Sequence, residues 1–339
     1  MKLRKTAFWF LIFIIILTFS IGAYSLMEPV NNITSSEIMV EIEKGMSGRA
    51  IANKLEDEGV IKSATVFYLL LRLQDMDNLR AGYYRFSTSN TPQEIIAKLQ
   101  RGEEEKFKIT IPEGFTFEEI LNRFTGLDFP EYERKKLESE IHQELKKIEM
   151  DLSFEPNNLE AGEFFPAEGF IIPTTYNFPM SYDEADIADD LINYFIELRL
   201  PVLKEGAAGR EFSAYELLII ASLIEEEGKI EAENEIIASV IYNRLDQGMA
   251  LQLDATVQYV LPERTARVLY SDLEIDSPYN TYQIKRLPPT PIASPGAQAV
   301  EAAINPADTN YLFYFAREDG SHVFTESYDQ HLQKQRQLD

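Results

Sequence analysis

Three consecutive glutamates, Glu225, Glu226 and Glu227, end a mostly apolar run over residues 217–224. A carboxyl at the rim of a buried helix face is partly desolvated, which raises its pKa and lets it hold a proton near neutral pH. General acid catalysis needs that property. Ser213 and Glu216 have capping-box spacing, so the run is expected to be a helix starting near Ala214. Gly228 is its expected stop, because glycine accepts the left-handed geometry of a helix C-terminus. Leu217, Ile220, Ala221 and Ile224 recur at helical spacing and mark the core face. At about 100° per residue, Glu225 then projects between Ala221 and Leu218 on the flank of that face. Glu226 is expected to point to solvent, and Glu227 to fall near the opposite flank. By pattern alone, a glutamate run equally suits the solvated end of a surface helix.

Other chemistries find little support. His142, His322 and His331 are scattered without a His-Glu-x-x-His pair, and cysteine is absent, so neither a metal nor a thiol nucleophile is expected. No nucleophile elbow and no phosphate loop is present, and no cofactor is expected. What remains is acid chemistry among amides, hydroxyls and rings. Asn243 and Arg244, then Gln252, Asp254 and Thr256, then Tyr279, Asn280, Thr281 and Tyr282 all follow Glu225 in the chain. Amides bond sugar hydroxyl and N-acetyl groups, and rings pack on the apolar face of a pyranose. The same residue types also build turns and caps.

The elements that must position these groups read as an α+β chain. In the first half, a strand at 38–42, helices at 47–59 and 63–74, a strand at 82–86 and a helix capped by Thr91 and Glu94 form a small unit with nothing catalytic in it. A strand at 107–111 and a helix at 116–124 follow, then a Lys- and Glu-dense segment at 131–160 that suits a solvated helix and a mobile loop. Beyond residue 186 helices dominate, at 187–198, 214–228 and 233–247, with Ser294 capping another that has Pro295 at its first position. Segments 311–317 and 322–324 around Asp319-Gly320 form a hairpin.

At the N-terminus, Lys2, Arg4 and Lys5 precede an uncharged apolar stretch. Such a stretch of about 20 residues suffices to cross a bilayer. The expected order is a cytoplasmic stub at 1–7, a transmembrane helix at 8–27, a tether at 28–37, a first module at 38–108 and a catalytic domain at 109–339 outside the membrane. A cleaved signal peptide is the competing reading, but the apolar stretch exceeds a usual signal core. The 339 residues are 45% hydrophobic and 26% charged, enough for one or two globular domains. A net charge of −24 excludes nucleic acid as partner, since its phosphates would be repelled, and suits a neutral or amphoteric polymer.

Taken together, the motifs resemble the YceG-like (MltG) endolytic murein transglycosylases. The resemblance is carried by Ala221-Ser222-Leu223-Ile224-Glu225-Glu226-Glu227, Ile241-Tyr242-Asn243-Arg244-Leu245, Gly248-Met249, Leu251-Gln252, Asp254-Ala255-Thr256-Val257 and Pro278-Tyr279-Asn280-Thr281-Tyr282. Leu287-Pro288-Pro289, Pro291-Ile292-Ala293-Ser294-Pro295-Gly296 and Gly320-Ser321-His322-Val323-Phe324 add to it. Upstream, Thr110-Ile111-Pro112-Glu113-Gly114 and the run from Glu168 through Tyr176 match in register. The chain departs from the family pattern at Ala255, Thr174 and Gly228.

The resemblance implies a membrane-anchored protein, single-pass in a bacterial cell membrane, with a LysM-like module at 38–108. It implies cleavage of peptidoglycan glycan strands between MurNAc and GlcNAc, with Glu225 as catalytic acid and 1,6-anhydroMurNAc ends as product. Glu227 and Glu233 fall on acidic positions of the pattern, and glycan-synthesising enzymes are implied partners. Gln252, Asp254, Thr256, Asn280 and Thr281 would orient the sugars, with Tyr279 or Tyr282 as a stacking wall. Two alternatives stay open: a hydrolytic muramidase with Asp254 or Glu227 as base, and a non-catalytic glycan-binding scaffold.

Overall fold

The computed structural model describes residues 9, 10, 13, 14, 17, 22, 24–31, 36–74, 78–127, 129–148, 150, 167–265 and 267–338. The chain divides into two compact units: Met1–Lys108 with Asn177–Tyr182, and Ile109–Tyr176 with Asp183–Asp339. The architecture is α+β, with short helices and three two-stranded ladders among the described residues.

The first unit contains β1 (Glu37–Ile42), α1 (Gly48–Asp57), α2 (Ala64–Leu73), β2 (Gly82–Ser87) and α3 (Pro92–Arg101). β1 and β2 pair antiparallel, with Val40 opposite Tyr84 and Ile38 opposite Phe86. Alternation along both strands turns Val40, Ile42, Tyr84 and Phe86 inward, where Ile51, Leu55, Phe67, Ile95 and Leu99 meet them. Ser47, Ser63 and Thr91 each accept a backbone N–H from the first turn of their helix, and Thr91 with Glu94 completes the expected capping box. β3 (Lys106–Thr110) and β4 (Thr175–Pro179) form a second ladder, of which β4 has no counterpart in the sequence reading.

The second unit continues with α4 (Phe117–Thr125), α5 (Arg134–Glu144), α6 (Glu184–Leu198), α7 (Leu200–Ala207), α8 (Ala214–Glu227), α9 (Asn234–Asp246), α10 (Asp254–Val260), α11 (Ala297–Ile304), β5 (Phe313–Ala316), β6 (His322–Thr325) and α12 (Tyr328–Leu338). α8 is its centre. It starts at Ala214 behind the Ser213–Glu216 capping box, as the spacing requires. α7, α9, α10 and α11 all pack on it. Every residue over 217–224 is buried, so the helix has no solvent face before its last turn. The hairpin is present, with Phe313 opposite Thr325 and Ala316 opposite His322.

Several expectations are corrected. No helix among the described residues is long and apolar enough to cross a membrane, so the N-terminal transmembrane helix at 8–27 does not belong to this fold class. A span needs about 20 apolar residues in one helix. Residues 1–8, 11, 12, 15, 16, 18–21 and 23 of that region lie outside the described residues, as do 32–35 of the tether and 151–160 of the expected loop. The cap of α11 is Gly296, not Ser294, because the Ser294 backbone is engaged with the strand-like segment at 114–115 and Pro295 precedes the helix.

Gly228 ends α8 with φ −80° and ψ 91°, extended rather than left-handed. Space, not backbone freedom, requires glycine there: a Cβ would overlap Asn234 Oδ1 and sit 2.9 Å from the Ile224 carbonyl oxygen. Gly228→Ala is therefore expected to destabilise the protein by about 1–3 kcal/mol in urea unfolding, as overpacking does. An unchanged midpoint would show that the helix end relaxes freely.

Candidate active site

Where α8 leaves the core, Glu225 Oε2 accepts a hydrogen bond from the Gly296 backbone N–H at 2.9 Å. The Gly296 carbonyl accepts one from Arg199 Nη1 at 3.2 Å. Arg199 follows the last residue of α6 and is 8% exposed. On the remaining side of Gly296 stands Glu113: a Cβ added to this glycine would overlap Glu113 Oε1. Two backbone hydrogen bonds bring the segments together, Gly114 N–H to Ser294 O at 3.0 Å and Ser294 N–H to Phe115 O at 2.8 Å. One glycine peptide thus carries two carboxylates and a guanidinium around it.

The Glu225 carboxyl is pushed above its usual range, first by burial and further by the negative charges of Glu113 and Glu226. The Gly296 N–H and Arg199 act in the opposite sense, favouring the carboxylate. Burial favours the protonated form, and a backbone N–H stands ready for the anion. That is the arrangement a group needs if it is to give up a proton and later take one back.

Glu226 does not face solvent, contrary to the helical-wheel expectation. Its Oε2 lies 3.1 Å from Arg264 Nη1 and its side chain is 13% exposed, because chain beyond α10 covers the far side of α8. Burial raises its pKa as well. Glu227 accepts a hydrogen bond from the Tyr314 hydroxyl at 3.0 Å and is pushed up to about 7 by burial. Tyr314 meets His322 edge-on across the hairpin, with ring centroids 5.4 Å apart. His322 Nδ1 is 2.7 Å from Glu233 Oε2, and the His322 N–H donates to both Glu233 oxygens at 3.1 Å. Glu227 and Glu233 therefore fasten β5 and β6 to the ends of α8 and α9.

The other singled-out residues divide into an exposed group and a buried one. Gln252 is exposed with φ 55°, a left-handed backbone uncommon outside glycine and frequent at functional sites. Its Oε1 accepts from Arg244 Nη1 at 3.2 Å. Asp254, also exposed, accepts from the Tyr282 hydroxyl at 2.5 Å, so the structure brings these three side chains to one surface. Beneath them, Thr256 and Thr281 are 0% exposed and share a hydrogen bond of 2.9 Å. Thr281 Oγ1 also accepts from the Leu253 N–H at 2.9 Å. Asn280 donates to the carbonyls of Leu273 and Ile275 at 3.0 and 2.8 Å.

Tyr279 is 1% exposed, bonds Thr290 Oγ1 at 2.9 Å and packs on Tyr259, whereas Tyr282 is half-buried. Thr256 and Thr281 thus hold the 252–254 segment in place, whereas Tyr279 and Asn280 bond elsewhere. Asn243 and Arg244 spend their donors on carbonyls, of Thr309 and Tyr311 and of Ala250, Leu251 and Leu312.

Glu113, Arg199 and Glu168 are site residues that the sequence reading did not single out. Glu113 and Glu168 each precede a glycine inside a quoted motif, a signal that was available; Arg199 gave none. Glu168 is 1% exposed, accepts from the Phe117 N–H at 2.9 Å and the Tyr259 hydroxyl at 3.0 Å, and is pushed up to about 8 by burial. It borders a 470 Å³ cavity with Glu119, Asn122, Gln258 and Arg264, which Glu225 does not line. Among the described residues no group of three or more His, Asp or Glu is placed to hold a metal ion.

Because its folded-state pKa lies above the ordinary 4.5, Glu168 contributes stability that is full below pH 4.5 and lost as pH rises through about 8. Glu227 acts in the same direction up to about 7. The melting temperature of Glu168→Gln, measured from pH 4.5 to 8.5, is expected to fall less steeply than that of the wild type. Parallel curves would show that Glu168 does not carry a raised pKa.

Comparison with known proteins matches residues 40–337 to the YceG-like family. The chain is similar to an endolytic murein transglycosylase of Bacillus subtilis strain 168, at 35% identity over 316 residues, covering 91% of this chain and 86% of that protein. It is similar to an endolytic murein transglycosylase of Streptococcus pneumoniae, at 28% identity over 308 residues, covering 85% of this chain and 56% of the relative. Among solved structures, a crystal structure of a yceG-like protein from Listeria monocytogenes superposes with a TM-score of 0.60 and 30% identity, over 89% of this chain and 100% of that one. With a family match over most of its length and a relative this close covered nearly end to end, the chain belongs to the YceG-like family.

Proposed function

We propose that this protein is a lytic transglycosylase that cuts peptidoglycan glycan strands between MurNAc and GlcNAc, with Glu225 as acid and then base. The observation that carries this reading is the Glu225–Gly296 arrangement, a half-buried carboxyl with a backbone donor already aimed at it. The names of the relatives, endolytic murein transglycosylases, supply the substrate class. Protonated Glu225 donates to the oxygen between the sugars as its bond to C1 breaks. The resulting carboxylate, bonded by the Gly296 N–H, then accepts the proton of the MurNAc C6 hydroxyl while that oxygen closes on C1. The product is a 1,6-anhydro ring, and Glu225 ends protonated as it began.

The exposed Gln252 and Asp254 and the half-buried ring of Tyr282 orient the sugars. The first unit, with two helices between paired strands, suits a LysM-like glycan-binding module. A glycan substrate also places the catalytic unit outside the cytoplasm. A hydrolytic route would need a second carboxylate free to activate water. Of the two candidates, Asp254 accepts a hydrogen bond from the Tyr282 hydroxyl and Glu227 one from the Tyr314 hydroxyl.

Purified protein incubated with uncrosslinked glycan strands should shorten them through internal cuts, read by size-exclusion chromatography. Strands of unchanged length would remove the assignment.

A further inference from the structure

Glu113 stands against the Cα of Gly296, whose N–H bonds Glu225, and nothing above gives it a part in the reaction. The groups that face Glu225 are few. Glu226 comes from its own helix, Arg199 from the end of α6, the Gly296 N–H from the start of α11, and Glu113 from the loop before α4. Glu226 is compensated by Arg264 at 3.1 Å. Arg199 is buried and feels Glu113 and Glu225 together. One guanidinium thus serves two carboxylates, and one further proton makes the group neutral.

We infer that Glu113 is a positioning residue for the reaction, a second carboxylate set against the Gly296 peptide that bonds Glu225. This rests on the reading of Glu225 as the acid.

Glu225 is half-buried and Glu113 is exposed, so burial favours the neutral form at Glu225. A glycan strand lying over Glu113 excludes water and strengthens the repulsion between the two carboxylates when the acid is needed. The geometry also explains residue 296. Its φ of −68° suits any amino acid, so glycine is there to leave room for the Glu113 carboxylate against its Cα.

The test is the pH dependence of kcat/KM on uncrosslinked glycan strands for the full chain, Glu113→Gln and Glu113→Asp. A general acid loses activity as pH rises through its own pKa, so removing a neighbouring negative charge moves that alkaline limb to lower pH. Glu113→Gln is expected to shift the limb down by about one unit. Glu113→Asp, with its charge one methylene further back, should shift it in the same direction by less. If the Gln variant is unfolded by circular dichroism, the Asp variant decides. A limb at the wild-type pH in the folded variants overturns the role of Glu113. Failure of the underlying reading looks different: Glu225→Gln would cleave as fast as the wild type wherever the limb lies.

Discussion

Glu225→Gln is expected to keep the fold and lose glycan cleavage by a factor on the order of 10² to 10⁴ or more. The amide is nearly isosteric but can neither donate the proton to the glycosidic oxygen nor take one from the C6 hydroxyl. Its retained carbonyl can still accept the Gly296 N–H that Glu225 accepts at 2.9 Å, so circular dichroism and melting should stay near wild type. Initial rates on uncrosslinked glycan strands give the answer, and turnover comparable to wild type would remove Glu225 from the mechanism. Glu226→Gln is not a neutral control, despite its neighbouring position. It strips Arg264 of a partner at 3.1 Å in a mostly covered setting.

The second large effect concerns a residue without a side chain. Gly296→Ala should fold normally, since φ −68° and ψ 174° are open to alanine. The new Cβ would overlap the Glu113 Oε1, which must swing away, and the Gly296 peptide that holds Glu225 must accommodate the change. A displacement of about 1 Å near a reacting centre can cost on the order of 10²-fold in rate. That loss, with little change in melting temperature, is the expected result. An alanine variant as active as wild type would mean that neither carboxylate depends on the close approach to this glycine.

Much of the fold was readable where local chemistry decides it. Ser213 with Glu216 and Thr91 with Glu94 are capping boxes in the sequence and in the structure. The hairpin around Asp319-Gly320 follows from turn residues between alternating segments, and the core stripes of α1 and α3 follow from their spacing. What could not be read depends on partners distant in sequence. The wheel drawn for α8 assumed one buried face, but Leu218, Ile219 and Leu223 complete an apolar circle that only a central helix can bury. Glu226 is covered for that reason.

Gly228 read as a left-handed stop because its neighbour Asn234 could not be placed beforehand. The α10 helix was missed since no side chain caps it, β4 is only five residues long, and α12 was missed although Ser327 accepts the Gln330 N–H at its start. Of the candidate site, Glu225, the exposed Gln252 and Asp254 and the half-buried Tyr282 came from the sequence. Glu113 and Arg199 emerged only when the loop before α4 and the end of α6 met at Gly296.

The central claim is that one carboxyl, Glu225, serves both proton transfers and that no water attacks. Digesting uncrosslinked glycan strands in water enriched in heavy oxygen, then weighing the fragments, tests this most directly. Intramolecular closure leaves 1,6-anhydroMurNAc ends, lighter than reducing ends by one water and free of the label. Those are the ends the Glu225–Gly296 geometry leads to. Reducing ends carrying heavy oxygen would show that water attacked C1, and would contradict the single-carboxyl mechanism.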